Sequence, residues 1–287
     1  MNGASALPPT SGSAGAEILS LLPLSGRRFA RRCRERNVPG TSPKAPEGRS
    51  GVIVDELLSI RSDSVRRFLR RWYGTAGSVR DMRPAASPNV PAELVEWHTA
   101  AALVGRPVTF QDRPIALQDL AADSRGMLEF WIENQSGCFW AVDLGDARLQ
   151  VFSREEKDGG WTETGEILSD FLLNCTVREA VIGGAFKFTV LVDASEVNEV
   201  LKSFEPLKFE ALGSEEPEVK LWCSEDALVR MAPPPAGYSQ PDGQLWMLTF
   251  AAPSDSSIER YSSRFGLEGF TKSSPARVVP PYEPPPF

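Results

Sequence analysis

The sequence predicts an α+β fold, in which a twisted and mainly antiparallel sheet is packed by helices. Of its 287 residues, 41% are hydrophobic and 24% are charged, which is the composition of a globular protein. Apolar residues recur with a helical period up to residue 105 and alternate from residue 126. The predicted strands follow one another after short connections, and such connections are typical of antiparallel pairs.

Composition divides the chain into four segments. Residues 1–50 hold eight basic and three acidic residues, a net charge of +5, and are predicted to be a disordered basic tail. Residues 51–184 are predicted to form the core of the fold. Residues 185–275 either complete the same sheet or form a second small α/β subdomain, and residues 276–287 form a proline-rich tail.

Two helices are predicted first, over residues 62–74 and 91–105. Gly74 and Gly105 are suitable C-terminal stops. In each segment the apolar residues recur at helical spacing and define one inner face. These residues are Val65, Phe68, Leu69 and Trp72 in the first helix, and Leu94, Trp97 and Ala101 in the second.

Three strands are predicted next, over residues 126–134, 138–144 and 148–155, and they should form an antiparallel meander. The first of them alternates apolar and acidic residues, which is typical of a half-buried strand. Strict alternation places Trp131 on the face opposite Phe130. We therefore expect Trp131 to be exposed among carboxylates.

The second half of the chain is predicted to mix helices and strands. A long helix is expected over residues 164–184, where Gly183 and Gly184 end the pattern. The remaining predicted elements are a strand at 187–192, a helix at 195–204, strands at 219–224, 227–232 and 244–250, and a helix at 257–265.

Several classes of enzyme are disfavoured by the residues that the sequence lacks. His98 is its single histidine, so any site that needs two imidazoles is excluded. The sequence holds no GxxxxGK[ST] loop, no GxGxxG after a strand and no GxSxG elbow. We therefore expect a protein that is not an enzyme.

The cysteines and the hydropathy pattern bear on metal binding and on the cellular location of the protein. Cys33, Cys138, Cys175 and Cys223 are far apart and form no CxxC pair, so no metal site is predicted. Sparse cysteines fit a reducing compartment, and the basic residues of the N-terminal segment follow its apolar stretch, which is the reverse of a signal peptide. No stretch is long and apolar enough for a membrane span. The expected location is the cytoplasm.

Charge is distributed unevenly along the chain. Residues 84–287 hold 16 basic and 31 acidic residues, a net charge of −15, whereas the whole chain carries −7. This acidic block either keeps the protein soluble or forms a negative surface that attracts a basic partner. Nucleic acid binding through the core is disfavoured, because phosphate contacts require lysine and arginine.

Several short motifs follow one another between Trp97 and Ala180. They are L-x-x-W-H at 94–98, G-R at 105–106, G-x-L-x-F-x-x-E-N-Q at 126–135, G-x-x-W at 137–140, and Trp161 followed by L-S-x-F-L at 168–172. In this order and spacing they resemble the SUKH superfamily, the Smi/Knr-like proteins. One departure is that residues 145–148 contain no proline, whereas members of the family often have an acidic-Pro-Pro turn there.

The resemblance implies an α+β fold with a twisted sheet packed by helices on one side. It also implies a non-catalytic module that binds another protein and holds no cofactor, because bacterial members are mostly immunity proteins that block a toxin. The implied partner is a basic toxin or nuclease domain. The alternative is a regulatory scaffold that binds a housekeeping partner.

The candidate partner-binding residues lie at strand ends and in acidic loops. They are Trp131, Glu133, Asn134, Gln135, Glu155 and Glu156. An exposed Trp131 would serve as an anchor for a basic partner. The competing interpretations are that Asn134 and Gln135 hydrogen-bond the backbone of a turn, and that Glu155 and Glu156 belong to a solvated face.

Overall fold

The computed structural model describes residues 53–74, 89–155, 159–209, 212, 219–234 and 245–265. The predicted tails at residues 1–50 and 276–287 lie outside these ranges. Within them the chain forms six α-helices and two antiparallel sheets of five strands each, which confirms the α+β prediction.

The helices and strands follow one another in a mixed order along the chain. The helices are α1 Ile53–Leu58, α2 Ser64–Tyr73, α3 Ala92–Val104, α4 Leu168–Ile182, α5 Val197–Leu201 and α6 Asp255–Ser262. The strands are β1 Arg113–Pro114, β2 Met127–Ile132, β3 Phe139–Asp143, β4 Gln150–Arg154, β5 Thr162–Ile167, β6 Phe186–Asp193, β7 Glu205–Pro206, β8 Lys220–Cys223, β9 Leu228–Ala232 and β10 Leu245–Ala252.

The first sheet has the order β1-β2-β3-β4-β5, so the predicted meander of three strands is confirmed and extended on both sides. The strand β5 was not expected, because the helix was predicted to begin at residue 164. In the structure Thr162–Ile167 pairs with β4, and the helix begins at Leu168. Gly165 in this strand has a φ of +87°, which breaks the regular strand geometry.

The second sheet has the order β6-β10-β9-β8-β7. Its strands β6, β8, β9 and β10 match the four strands predicted from the sequence to within a few residues. The strands β6 to β10 therefore form a sheet of their own and do not extend the first one. The second sheet begins two residues after Gly184, which ends the predicted core segment.

The helix α4 connects the two sheets through a shared core. Every residue from Phe171 to Val181 is buried. The helix contacts β4 and β5 of the first sheet and β9 and β10 of the second. One hydrophobic cluster accordingly contains Trp140 and Phe171 together with Leu221 and Leu228 of the second sheet.

A second cluster lies on the opposite face of the second sheet. There Phe188 and Phe250 stack at 4.8 Å between ring centroids, and Tyr261 of α6 packs against Phe250. Val197 and Leu201 of α5 complete this cluster. The layers are thus the first sheet, α4, the second sheet, and an outer layer of α5 and α6.

The two early helices were predicted correctly, and their apolar faces are buried. Phe68, Leu69 and Trp72 of α2 and Leu94 and Trp97 of α3 are each exposed by 3% or less. The helix α3 ends at Gly105, which adopts a left-handed conformation with a φ of +69°. None of the helices in the described part of the chain is long and apolar enough to cross a membrane.

The prediction that Trp131 is exposed is wrong. Its side chain is fully buried, with 0% exposure, and it packs edge-on against Trp97 at 5.2 Å between ring centroids. The register of β2 against β3 shifts between Glu129 and Trp131, which is a β-bulge. A bulge interrupts the alternation of faces, so Phe130 and Trp131 are both buried in the core.

Candidate functional site

One end of the first sheet collects the carboxylates that the sequence places in separate segments. Glu133 follows β2, Glu155 follows β4, and Asp112 precedes β1. Asp112 reaches the β2–β3 turn directly, because its Oδ1 accepts a hydrogen bond of 3.3 Å from the backbone N–H of Asn134. We call Asp112, Glu133 and Glu155 the acidic end.

The turn between β2 and β3 is built around the carboxylate of Glu133. Its Oε2 accepts hydrogen bonds of 3.0 Å from the backbone N–H groups of Gln135 and Gly137. Ser136 completes the turn with a φ of +59°. Glu133 therefore holds the turn, in the structural role that the sequence suggested for the amides of its neighbours. Asn134 and Gln135 are exposed at its tip.

The electrostatic effect of the acidic end is visible at Cys138. Burial raises the pKa of this thiol to about 11, and the negative charges of Glu155, Glu133 and Asp112 act in the same direction. Geometry agrees with this, because Arg154 pairs with Phe139 and the next residue, Glu155, therefore lies beside Cys138. Glu133 and Asp112 line the same cavity as Cys138. Arg113 lies at the same turn, where its guanidinium donates to the hydroxyl of Ser136 at 3.4 Å, so these acids stand beside a basic side chain.

One candidate acid, Glu156, and the acidic neighbour Glu129 do not contribute to the acidic end that the structure describes. Glu156 lies outside the described residues. Glu129, on the outer face of β2, is paired with Arg154 at 2.6 Å and is therefore neutralised locally. Arg154 in turn packs over Trp161 at 4.4 Å from the ring centroid.

Behind the acidic end, Glu179 of α4 holds the loop before β1. Its carboxylate accepts hydrogen bonds from three consecutive backbone N–H groups, those of Phe110, Gln111 and Asp112, the last two at 2.9 and 2.8 Å. Burial raises the pKa of Glu179 to about 7, although these N–H groups lower it. Sequence reasoning missed this residue, since a single glutamate within a predicted helix carries no signal of its own.

The same loop is fixed by a close approach at the end of α4. A Cβ atom added at Gly183 would lie 1.8 Å from the ring of Phe110. The ring of Phe110 therefore occupies the space that a side chain at Gly183 would need. Together with Glu179, this contact positions Asp112 for its place in the acidic end.

A small cavity lies between the acidic end and α4. Its volume is about 170 Å³, which is below the roughly 300–1,000 Å³ that small-molecule sites usually have. Its walls combine opposite charges with two thiols. The lining includes Asp112, Glu133, Cys138, Trp140, Cys175, Arg178, Glu179 and Arg230.

The polar groups along α4 are engaged with one another. Asn174 donates to both carboxylate oxygens of Glu166 at 3.1 and 3.3 Å, and Arg178 donates to the Oδ1 atom of Asn174 at 2.7 Å. Glu166 is buried, so it does not belong to the acidic surface of the protein. This network connects β5 to the helix that follows it.

His98 is half-buried on α3 and lies edge-on to Trp97. Burial lowers the pKa of its imidazole, and a hydrogen bond to the backbone of Ile115 partly opposes that shift. The imidazole of His98 is therefore packed into the fold, as expected for a side chain with a structural role. Among the described residues no group of three or more His, Cys, Asp or Glu side chains could hold a metal ion.

The three described cysteines, Cys138, Cys175 and Cys223, are buried and unbridged. Burial is the main cause that raises the pKa of each thiol. They are therefore packing residues in their present environment.

Comparison of the chain with protein-family models, with curated proteins and with solved structures finds no match.

Proposed function

We propose that this protein is a non-catalytic binding module, which recognises a basic protein partner through the acidic end of its first sheet. The observation that carries the proposal is that Asp112, Glu133 and Glu155 lie at one end of the first sheet, where Asp112 is hydrogen-bonded to the β2–β3 turn and Glu155 follows the pairing of Arg154 with Phe139. The exposed Asn134 and Gln135 stand beside these carboxylates and supply polar contact groups. Trp131 takes no part in this surface, because it is buried.

The partner class follows from charge and from the resemblance to the SUKH superfamily. A surface of this charge favours a basic protein and repels nucleic acid. In that family such a module neutralises a toxin, and a nuclease domain is a basic protein of suitable chemistry. We therefore propose an immunity role, in which the module covers the active surface of the toxin.

A binding role also agrees with the state of the titratable groups near the acidic end. Glu133 and Glu179 are occupied by backbone N–H groups, and His98 is half-buried against an aromatic ring. Each of these side chains is therefore engaged in contacts that hold the fold together. The proposal therefore assigns the protein neither a reaction nor a cofactor.

The first experiment is an affinity purification from source-cell extract at low and high salt, with the full chain as bait and mass spectrometry to identify what is retained. A single basic, nuclease-like protein that high salt releases would support the immunity role. A housekeeping enzyme or complex would favour the scaffold alternative instead.

The second experiment measures association rates with the purified partner. The double variant Glu155→Lys/Glu156→Lys should lower the association rate about tenfold at low salt, because surface charge governs encounter. The matched control is Glu196→Lys/Glu199→Lys, which changes two exposed acids next to and within α5 in the outer layer. An unchanged rate in the first variant, or an equal loss in the control, would remove the acidic end from the proposal.

A further inference from the structure

The second sheet has one long edge strand. Within the described residues β6 pairs with β10 on one side and has no strand on the other. All eight residues of β6, Phe186–Asp193, continue along β10 without a break in register. Such an edge offers a row of backbone N–H and C=O groups to a further strand.

The other edges of the two sheets are less suited to pairing. The edge strands β1 and β7 have two residues each. The edge strand β5 has an interrupted register with β4 and contains the left-handed Gly165. Short and irregular edges resist pairing with another chain, and β6 has neither protection.

We propose that β6 pairs with β6 of a second copy of this chain in a symmetric antiparallel dimer. The strand holds two charged residues, Lys187 and Asp193. Both are exposed, and the ammonium of Lys187 donates a hydrogen bond to the backbone carbonyl of Ile182, which a lysine can keep while it also contacts a carboxylate. When the two-fold axis passes through Val190, each Lys187 lies directly opposite Asp193 of the second copy. A two-fold interface repeats every contact, so the dimer gains this opposite-charge pair twice.

The same register matches the remaining residues. Phe188 lies opposite Val192 of the second copy, and Val190 lies opposite itself. These three residues belong to the hydrophobic cluster under α5 and α6, so pairing joins the two clusters. In this register the numbers of two opposed residues differ by an even count. Their backbone N–H and C=O groups therefore point to the same edge of β6, which is the condition for regular antiparallel pairing.

In the two neighbouring registers, Lys187 and Asp193 no longer lie opposite each other. If the axis moved to Thr189, Lys187 would lie opposite Leu191 and Asp193 would lie beyond the strand of the second copy. If it moved to Leu191, Asp193 would lie opposite Thr189. Among these three registers, only the one centred on Val190 pairs the two charges of the strand with each other.

The test is the oligomeric state of the full chain, measured by sedimentation at several concentrations. The unaltered chain should dimerise. Lys187→Glu places two acids opposite each other, and Asp193→Lys places two lysines opposite each other. Each variant should raise the dissociation constant at least about tenfold, which corresponds to about 1.4 kcal/mol.

Rescue experiments separate repulsion from misfolding. An equimolar mixture of the two single variants should form a heterodimer, because the glutamate introduced in one variant would then lie opposite the lysine introduced in the other. The double variant Lys187→Glu/Asp193→Lys should dimerise again. Lys220→Glu, an exposed position in the interior strand β8, is the control and should leave the dimer unchanged.

Three results would each overturn the proposal: a monomeric unaltered chain at all concentrations, single variants that dimerise like the unaltered chain, or no heterodimer in the mixture. The acidic end belongs to the first sheet, so the outcome is independent of what that surface binds.

Discussion

Two opposing effects act on the pKa of the buried Glu179 carboxylate. Removal from water raises its pKa to about 7, while three backbone N–H groups favour the charged form. The residue lies on α4 and holds the loop that contains Asp112. Its protonation state is therefore tied both to the stability of the fold and to the geometry of the acidic end.

The first prediction concerns the pH dependence of stability. An unperturbed glutamate titrates near 4.5 and the folded Glu179 near 7, so the folded state binds this proton more tightly. The contribution of Glu179 to the free energy of unfolding is thus full below about pH 4.5 and is lost as the pH rises through about 7. Glu179→Gln should remove this dependence.

Urea denaturation of both proteins at about pH 5 and about pH 8 checks the prediction. The difference in unfolding free energy between the two proteins should change by on the order of 2 kcal/mol over this range. Other titrating groups, His98 among them, are common to both proteins and cancel. Parallel pH profiles would show that Glu179 is not the cause.

The second prediction concerns Gly183. Gly183→Ala should lower the free energy of unfolding by about 1–3 kcal/mol, because the new methyl group and the ring of Phe110 cannot occupy the same space. In a Phe110→Ala background the same change should cost little. Gly160→Ala is the control, since a Cβ there meets nothing within 4 Å. Equal costs in both backgrounds, measured by chemical denaturation, would contradict the contact.

At the scale of single elements, the sequence predicted those whose side chains repeat regularly. The stripe of α2 was recognisable because burial selects apolar residues at a fixed period, and β6, β9 and β10 were recognisable as short runs rich in apolar residues. The strand β5 was missed because its six residues, TETGEI, are mostly polar and exposed. Its extended form comes from backbone pairing with β4, which leaves little trace in the side-chain pattern.

The bulge in β2 explains why the candidate site was only partly predicted. Glu133, Asn134, Gln135 and Glu155 were placed correctly at strand ends, since turn and strand signals locate those ends. Trp131 was assigned to the wrong face because alternation assumes a regular strand. A bulge depends on the partner strand, and the sequence of β2 alone does not reveal it.

The third prediction follows from this correction. Trp131→Ala should lower the free energy of unfolding by about 3–5 kcal/mol, because it removes a fully buried indole that packs against Trp97. The half-buried Trp161 provides the comparison, and Trp161→Ala should cost less. Thermal or chemical denaturation gives both values. A loss for Trp131→Ala no larger than that for Trp161→Ala would contradict the buried position.

At the scale of the whole molecule, the sequence did not reveal that the strands form two sheets. Strand pairing across long stretches of chain depends on tertiary contacts, and a single sequence does not record which strands are neighbours. The structure places α4 between the sheets and includes residues of both in one cluster. Each half therefore contributes to the burial of the other.

The fourth prediction is that both sheets unfold together. Leu221→Ala removes a buried side chain of β8 from the shared cluster and should cost about 2–5 kcal/mol. Hydrogen exchange followed by mass spectrometry should then show faster exchange in β2–β4 as well as in β9 and β10. Leu58→Ala, at a site that is 46% exposed, should change neither sheet. Slower or unchanged exchange in the first sheet would indicate two independent units.

The buried cysteines are native reporters of how fast the core opens, since they can be alkylated only when they become exposed. Cys138 and Cys175 lie in the shared core, Cys223 lies in β8 of the same core, and all three thiols are shielded from reagents while the molecule is closed. With Cys33 replaced by serine, every alkylation event would record the exposure of one of these three positions. Quantifying the label on each cysteine over time would give the rate at which each of these positions in the shared core becomes exposed.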